Sequence, residues 1–312
     1  MTRDDVLAFH RSLPGYEPTP VRELPEVAAA LGLAAVLVKD ESARLGLPAF
    51  KILGASWAAE RALRERPETH TLTAASAGNH GRAVARVAAP RGLACRIFLP
   101  ERALPVRRQA IEREGAEVVR VDGSYEDAVA AAEAAAREPG VLLIADVGSS
   151  GPASWVIDGY ATLFEEARTQ ARYDVVLVPV GVGSLAAAAC RHGGAAGVRV
   201  IGVEPETAAC LTASLAAGRP VTIDTPGTVM AGLDCAEVSA AAWPTLRDGI
   251  ERTITVTDDQ TRAAMAELAA HGLSIGESGA APLAALHLLA GDPALDPTTR
   301  VLLVATEGRT GG

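Results

Sequence analysis

Lys51 is the only charged side chain between Pro48 and Ala59 in the stretch PAFKILGASWAAE (48–60). A lysine normally keeps its ammonium in water. One at the mouth of an apolar helix needs a charged partner or a covalent one. Desolvation lowers its pKa and turns the amine into a nucleophile. A second place with chemical promise is VPVGVGSLAAA (178–188), where Gly181 and Gly183 lie between an apolar run and an alanine-rich one. Glycines let successive N–H groups converge, and a helix start adds positive potential, so this turn suits a phosphate. The same residues also fit a dinucleotide fingerprint, Gly181-x-Gly183-x-x-Ala186, with Glu204 near the offset of a ribose-binding acid. A tight turn without a ligand is the third reading. A third place is SAGNHG (76–81), where Ser76, Gly78 and the following amides suit an anion such as a carboxylate. Asn79 can donate a side-chain hydrogen bond to a cofactor oxygen. Helix capping by Ser or Asn explains the same residues, and His80 reads equally as a polar loop residue.

The elements that must position these turns alternate along the chain. Apolar, β-branched runs predict strands over 33–40, 69–75, 94–100, 116–123, 141–147, 174–180, 198–204, 252–257 and 299–308. Helices are expected from near Arg82, over 105–115, 124–138 and 154–170, from Ser184, over 207–218, and after Asp258 as an N-cap. Strands without clean alternation, separated by amphipathic helices, mean parallel sheets covered on both faces. Ligands of such open sheets bind at the carboxyl ends of the strands, where 76–81, 181–184 and 306–312 fall. The stretch 225–246 has no regular pattern, which is typical of a functional loop.

Composition excludes several classes. A net charge of −9 argues against nucleic acid and an anionic membrane surface. The chain has no apolar run long enough for a membrane span, and MTRDDVLAFHRSLPG lacks the apolar core of a signal peptide. Cys95, Cys190, Cys210 and Cys235 are too far apart for a CxxC or zinc pattern, so free thiols in a reducing cytoplasm are expected and no metal is called for.

A reactive lysine, a phosphate nest and an asparagine turn are the parts that pyridoxal 5'-phosphate needs: an amine for its aldehyde, a cradle for its phosphate and a donor near its phenolic oxygen. The sequence resembles the fold-type II pyridoxal-phosphate enzymes, and among them the diaminopropionate ammonia-lyases. VKDESARLGLPAFKILGAS (38–56), GNHGR (78–82), DGYATLFEEA (158–167), GVGS (181–184), VEP (203–205), TVMAGLDCAE (228–237), IGESGA (275–280) and ATEGRT (305–310) follow that family's order. The resemblance implies an α/β fold like the tryptophan synthase β-subunit, with two open, mostly parallel sheets flanked by helices. It implies Lys51 as the Schiff-base lysine, Asn79 at the phenolic oxygen, Gly181, Val182, Gly183 and Ser184 around the phosphate, and Thr306 at the pyridine nitrogen. Ser76, Ala77, Gly78 and His80 would surround the substrate carboxylate, with Glu277 near the β-substituent. The family pattern carries an aspartate, a candidate base, before Gly-Asn-His, where this chain has Ala77; a second family aspartate is matched by Asp146.

The function implied is α,β-elimination on a small amino acid such as 2,3-diaminopropionate, with Lys51 or Asp146 as base. Serine/threonine dehydration and β-replacement share that chemistry; an NAD-dependent dehydrogenase and a non-catalytic amino-acid sensor are the readings outside it. A large domain of residues 1–68 and 155–312, a small mobile domain of 69–154 and a homodimer complete the expectation.

Overall fold

The computed structural model describes residues 3–145, 148 and 151–309. Asp146 therefore lies outside the described residues, as does the end of the strand expected over 141–147. The chain forms two compact units, one of residues up to Phe50 and from Tyr160 onward, the other Lys51–Gly159. The divisions fall at 50/51 and 159/160, not at 68/69 and 154/155. Helix Lys51–Glu65 joins the second unit because it packs on helices Asn79–Ala88 and Pro152–Gly159. The approach is close: a Cβ on Gly159 would stand 2.6 Å from the Leu53 carbonyl oxygen.

Among the described residues ten strands make two sheets. They are β1 (Val21–Glu23), β2 (Ala35–Asp40), β3 (Thr71–Ala75), β4 (Ala94–Pro100), β5 (Glu117–Val121), β6 (Val141–Leu143), β7 (Val175–Pro179), β8 (Arg199–Pro205), β9 (Arg252–Val256) and β10 (Arg300–Ala305). In the first unit the order is β1-β2-β10-β7-β8-β9, parallel except for the β1–β2 pair. In the second it is β5-β4-β3-β6, all parallel. All five residues of β7 are buried, as a central strand covered by helices on both faces requires. β5, at a sheet edge, has no buried residue.

The first unit is pinned around a buried ionic cluster. Glu166 accepts from Lys39 Nζ at 2.6 Å and from both Arg44 Nη atoms at 2.7 Å, while Glu41 accepts from Arg44 Nε at 2.9 Å. Lys39, Glu41, Arg44 and Glu166 are all buried. Charges so deep persist only when paired and hydrogen-bonded. The cluster ties strand β2 and the turn after it to helix Ala161–Gln170.

Candidate active site

Within the first unit, β10 and β7 are parallel neighbours with Leu303 opposite Leu177. Continuing that register sets Thr306, just past β10, level with Val180, one residue before Gly181. The turn 181–183 then leads into helix Ser184–Ala196, whose N-cap, Gly183 at φ +90°, brings no side chain to occupy the first N–H groups. Two carbonyls of this turn are tied from outside. Ser239 N donates to the Val182 oxygen at 2.9 Å, and Cys210 Sγ to the Gly181 oxygen at 3.6 Å. A trans peptide points its N–H opposite to its C=O. The N–H of Val182 therefore points away from Cys210 Sγ and that of Gly183 away from Ser239 N, both just ahead of a helix start, where an oxyanion is favoured.

The turn also has no room for side chains behind it. A Cβ on Gly181 would lie 2.7 Å from the Gly232 carbonyl oxygen and 3.1 Å from Cys235 Sγ. A Cβ on Gly183 would lie 2.5 Å from Leu246 Cδ1. The irregular stretch 225–246 thus forms the back wall of the turn. These features fit a phosphate handle.

Thr306 is buried, and its carbonyl accepts from Phe50 N at 3.2 Å. Phe50 is the residue before Lys51, so the lysine's backbone starts one residue from that bond. Lys51 opens helix Lys51–Glu65, whose following residues Ile52–Ala59 are buried while Lys51 itself is partly exposed. The chain has two lysines, 39 and 51. Lys39 is fully buried and committed to Glu166 and to the Thr19 oxygen at 2.7 Å. Counting lysines narrows the candidates to Lys39 and Lys51, and the burial and ion pair of Lys39 leave Lys51.

In the second unit, Ser76–Gly78 turn from β3 into helix Asn79–Ala88, with Gly78 as N-cap. Ser76 Oγ does not cap that helix but accepts from Gly78 N at 3.2 Å, fixing the turn itself. A Cβ on Gly81 would collide with the Ser76 carbonyl oxygen, so this glycine allows the turn to fold onto the helix. Ser76, Ala77 and Asn79 are partly exposed and Gly78 is exposed. His80 is not a loop residue: it is the second helical residue, 3% exposed, with Nε2 2.8 Å from the Ile144 oxygen. A carbonyl only accepts, so Nε2 carries the proton.

Glu204 is fully buried and accepts from Leu211 N, Thr212 N and Thr212 Oγ1 at 2.7, 2.9 and 2.6 Å. Burial pushes its pKa up against those hydrogen bonds. It anchors the start of helix Cys210–Ala217 and is spent there, which removes the ribose-binding acid the dinucleotide reading needs. Glu277, first residue of helix Glu277–Leu288, is partly exposed. The carboxylate that serves that helix start belongs instead to Glu307, which accepts from Ser278 N at 3.3 Å. Glu307, Ser239 and Cys210 carry supporting roles that the sequence did not reveal. Ser239 had a signal in its place in the unpatterned stretch, and Glu307 in its place within ATEGRT.

The chain is similar to known proteins over almost its whole length. Residues 13–307 match the family model described as pyridoxal-phosphate dependent enzyme. A diaminopropionate ammonia-lyase of Salmonella typhimurium is 33% identical over 98% of this chain and 89% of its own length. The biosynthetic L-threonine dehydratase of Escherichia coli is 32% identical over 89% of this chain and 55% of its own. The crystal structure of Escherichia coli diaminopropionate ammonia lyase in complex with D-serine superposes with a TM-score of 0.90, at 30% identity, covering 99% of this chain and 89% of that one.

Proposed function

Because this chain belongs to the pyridoxal-phosphate dependent enzymes, we propose that it is an ammonia-lyase acting on 2,3-diaminopropionate or a close analogue, releasing a 2-keto acid and ammonia. The observation that carries this reading is the glycine turn 181–184, which leads from β7 into a helix with a side-chain-free N-cap and has its Gly181 and Val182 carbonyls held from outside. Likeness to diaminopropionate ammonia-lyases over almost the whole chain supports the substrate class.

The coenzyme, when bound, withdraws electrons from the α-carbon of an amino acid, so that the α-proton and then the β-substituent can leave. Lys51 would hold the coenzyme through its amine. Val182, Gly183 and Ser184 would donate to its phosphate, with Gly181 keeping the wall close. Asn79 would donate at the phenolic oxygen. Thr306 would offer the pyridine nitrogen a hydroxyl in place of a carboxylic acid, a partner that suits elimination. Ser76, Ala77, Gly78 and the amides opening the helix after them receive the substrate carboxylate, with His80 holding that helix start to Ile144. Ala77 has no carboxylate to give, so removal of the α-proton falls to Lys51 or Asp146. Glu277 stands as the candidate acid for the departing β-group.

The test is product analysis with both enantiomers of diaminopropionate, serine, threonine and a thiol donor. Pyruvate with ammonia from diaminopropionate is expected. Turnover of threonine to 2-oxobutyrate without turnover of diaminopropionate would favour the dehydratase reading, for which Ala77 and the threonine dehydratase likeness speak. Product from no amino acid would defeat both. The reading takes the enzyme as a cytoplasmic homodimer, on the family resemblance and the four separated thiols; light scattering tests the assembly. Among the described residues no helix is long and apolar enough to cross a membrane.

A further inference from the structure

Helix Asp258–Ala270 carries its own cap one residue earlier than the sequence suggested. Thr257 Oγ1 accepts from Gln260 N at 3.1 Å, and Gln260 Oε1 accepts from Thr257 N at 2.8 Å. Asp258 is therefore not needed by its helix, and its carboxylate is used elsewhere. Oδ1 accepts from Thr228 Oγ1 at 2.5 Å and Oδ2 from Val229 N at 3.1 Å. Hydrogen bonds to a carboxylate are the strong ones. Thr228 Oγ1 in turn accepts from Met230 N at 3.2 Å, and one turn along the same helix Thr261 Oγ1 lies 3.3 Å from the buried Met230 Sδ. From Met230 the chain turns tightly, with Leu233 N on the Met230 oxygen at 2.8 Å. Gly232 N rests on Ser278 Oγ at 3.2 Å, and the Gly232 carbonyl faces Gly181. Further on, Ser239 N holds the Val182 carbonyl at 2.9 Å.

We propose that Asp258 is a positioning residue for the turn 181–184: it sets the segment 228–239, and that segment sets the directions of the peptides whose N–H groups meet the coenzyme phosphate. The inference rests on reading that turn as the phosphate site. The Asp258 carboxylate is committed to Thr228 and Val229. Its effect must therefore appear as a loss of phosphate recognition and leave recognition of the rest of the coenzyme as it was.

The test compares pyridoxal 5'-phosphate with pyridoxal, which has the same aldehyde and ring but no phosphate, titrated by absorbance into full-length chain stripped of coenzyme. Asp258→Ala is expected to weaken pyridoxal phosphate about tenfold, the scale of one well-placed hydrogen bond to a charged group, and to leave pyridoxal within about twofold. Thr228→Val removes the side-chain half of the link, leaving Val229 N on Asp258, and should give a loss of the same selectivity; the double variant should lose little more than Asp258→Ala. Asp259→Ala, whose side chain is 94% exposed, is the control and should bind both as wild type does. Equal weakening of both ligands in Asp258→Ala and Thr228→Val would reduce Asp258 to a fold residue and overturn the proposal, as would no change in either. If Asp258→Ala does not fold, Thr228→Val decides in the same terms. A wild-type chain that does not prefer pyridoxal phosphate over pyridoxal would defeat the reading of the turn itself.

Discussion

Gly181→Ala isolates the turn 181–184 with a single methyl group. Gly181 is not among the positive-φ residues, so alanine costs no backbone strain there and the effect comes from contact alone. The new Cβ would stand 2.7 Å from the Gly232 oxygen and 3.1 Å from Cys235 Sγ. A comfortable C···O approach is about 3.3 Å or more, so turn and wall must part by roughly 0.6 Å. The wall cannot yield cheaply, because Gly232 N is held by Ser278 and Leu233 N by Met230. Overpacking of this kind costs about 1–3 kcal/mol, which should lower the melting temperature by about 2–5 °C in a chain of this size. The displaced N–H groups also lose alignment with the phosphate; one charge-assisted bond is worth about 1.5–3 kcal/mol, or about 10- to 100-fold in coenzyme affinity. Titration of stripped protein measures the affinity and calorimetry the stability. A variant that melts lower but binds pyridoxal phosphate as tightly as wild type would refute the reasoning, since the turn would then be a packing feature only.

Arg44→Met leaves Glu41 and Glu166 without their shared cation and should destabilise the chain by about 3–5 kcal/mol in a denaturant melt. Burial alone would raise the pKa of Glu166, but its hydrogen bonds and charge contacts with Arg44 and Lys39 outweigh this and hold it below the ordinary carboxylate value. The unfolded chain then takes up the proton first. This contribution is present above the ordinary Glu pKa and is lost as pH falls through the folded value; Glu166→Gln should flatten that acid limb of stability against pH. Gly78→Ala should be tolerated, since its Cβ would meet only Ser76 Oγ at 3.9 Å, whereas Gly81→Ala collides with the Ser76 carbonyl and should raise KM for the amino acid far more. Glu204→Ala should cost about 1–2 kcal/mol as the loss of a helix cap, and NADH should bind neither form. NADH binding abolished by that change would restore the dinucleotide reading.

The sheets were largely legible because parallel strands buried on both faces are continuous apolar runs. The run expected over 94–100 is β4 to the residue, and 174–180 overshoots β7 by one residue at each end. Helix Glu277–Leu288 escaped notice for the converse reason: it is apolar all round, with Pro282 inside it, so it has no amphipathic period. The helix expected over 154–170 is two helices, Pro152–Gly159 and Ala161–Gln170, divided at Tyr160. Val21–Glu23 and Pro25–Leu31 are too short to stand out, and the first is held by an antiparallel pairing at the edge of a sheet otherwise parallel among the described residues. In the site, glycines and the lysine were visible because their types are unusual for their surroundings. Glu204 stood open between two readings, Asp258 was taken for its own helix's cap and Glu307 was passed over, because an acid at a strand or helix end looks the same in sequence whether it meets a ligand or a distant backbone N–H.

The central claim is that the coenzyme is held covalently by Lys51. The direct measurement is borohydride reduction of the protein loaded with pyridoxal phosphate, followed by proteolysis and mass spectrometry. With two lysines in the chain the outcome is sharp. The account predicts a reduced phosphopyridoxyl group on the Lys51 peptide, none on the Lys39 peptide, and no visible absorbance band in Lys51→Ala. Label on Lys39, or none on either lysine in protein loaded with the coenzyme, would contradict it.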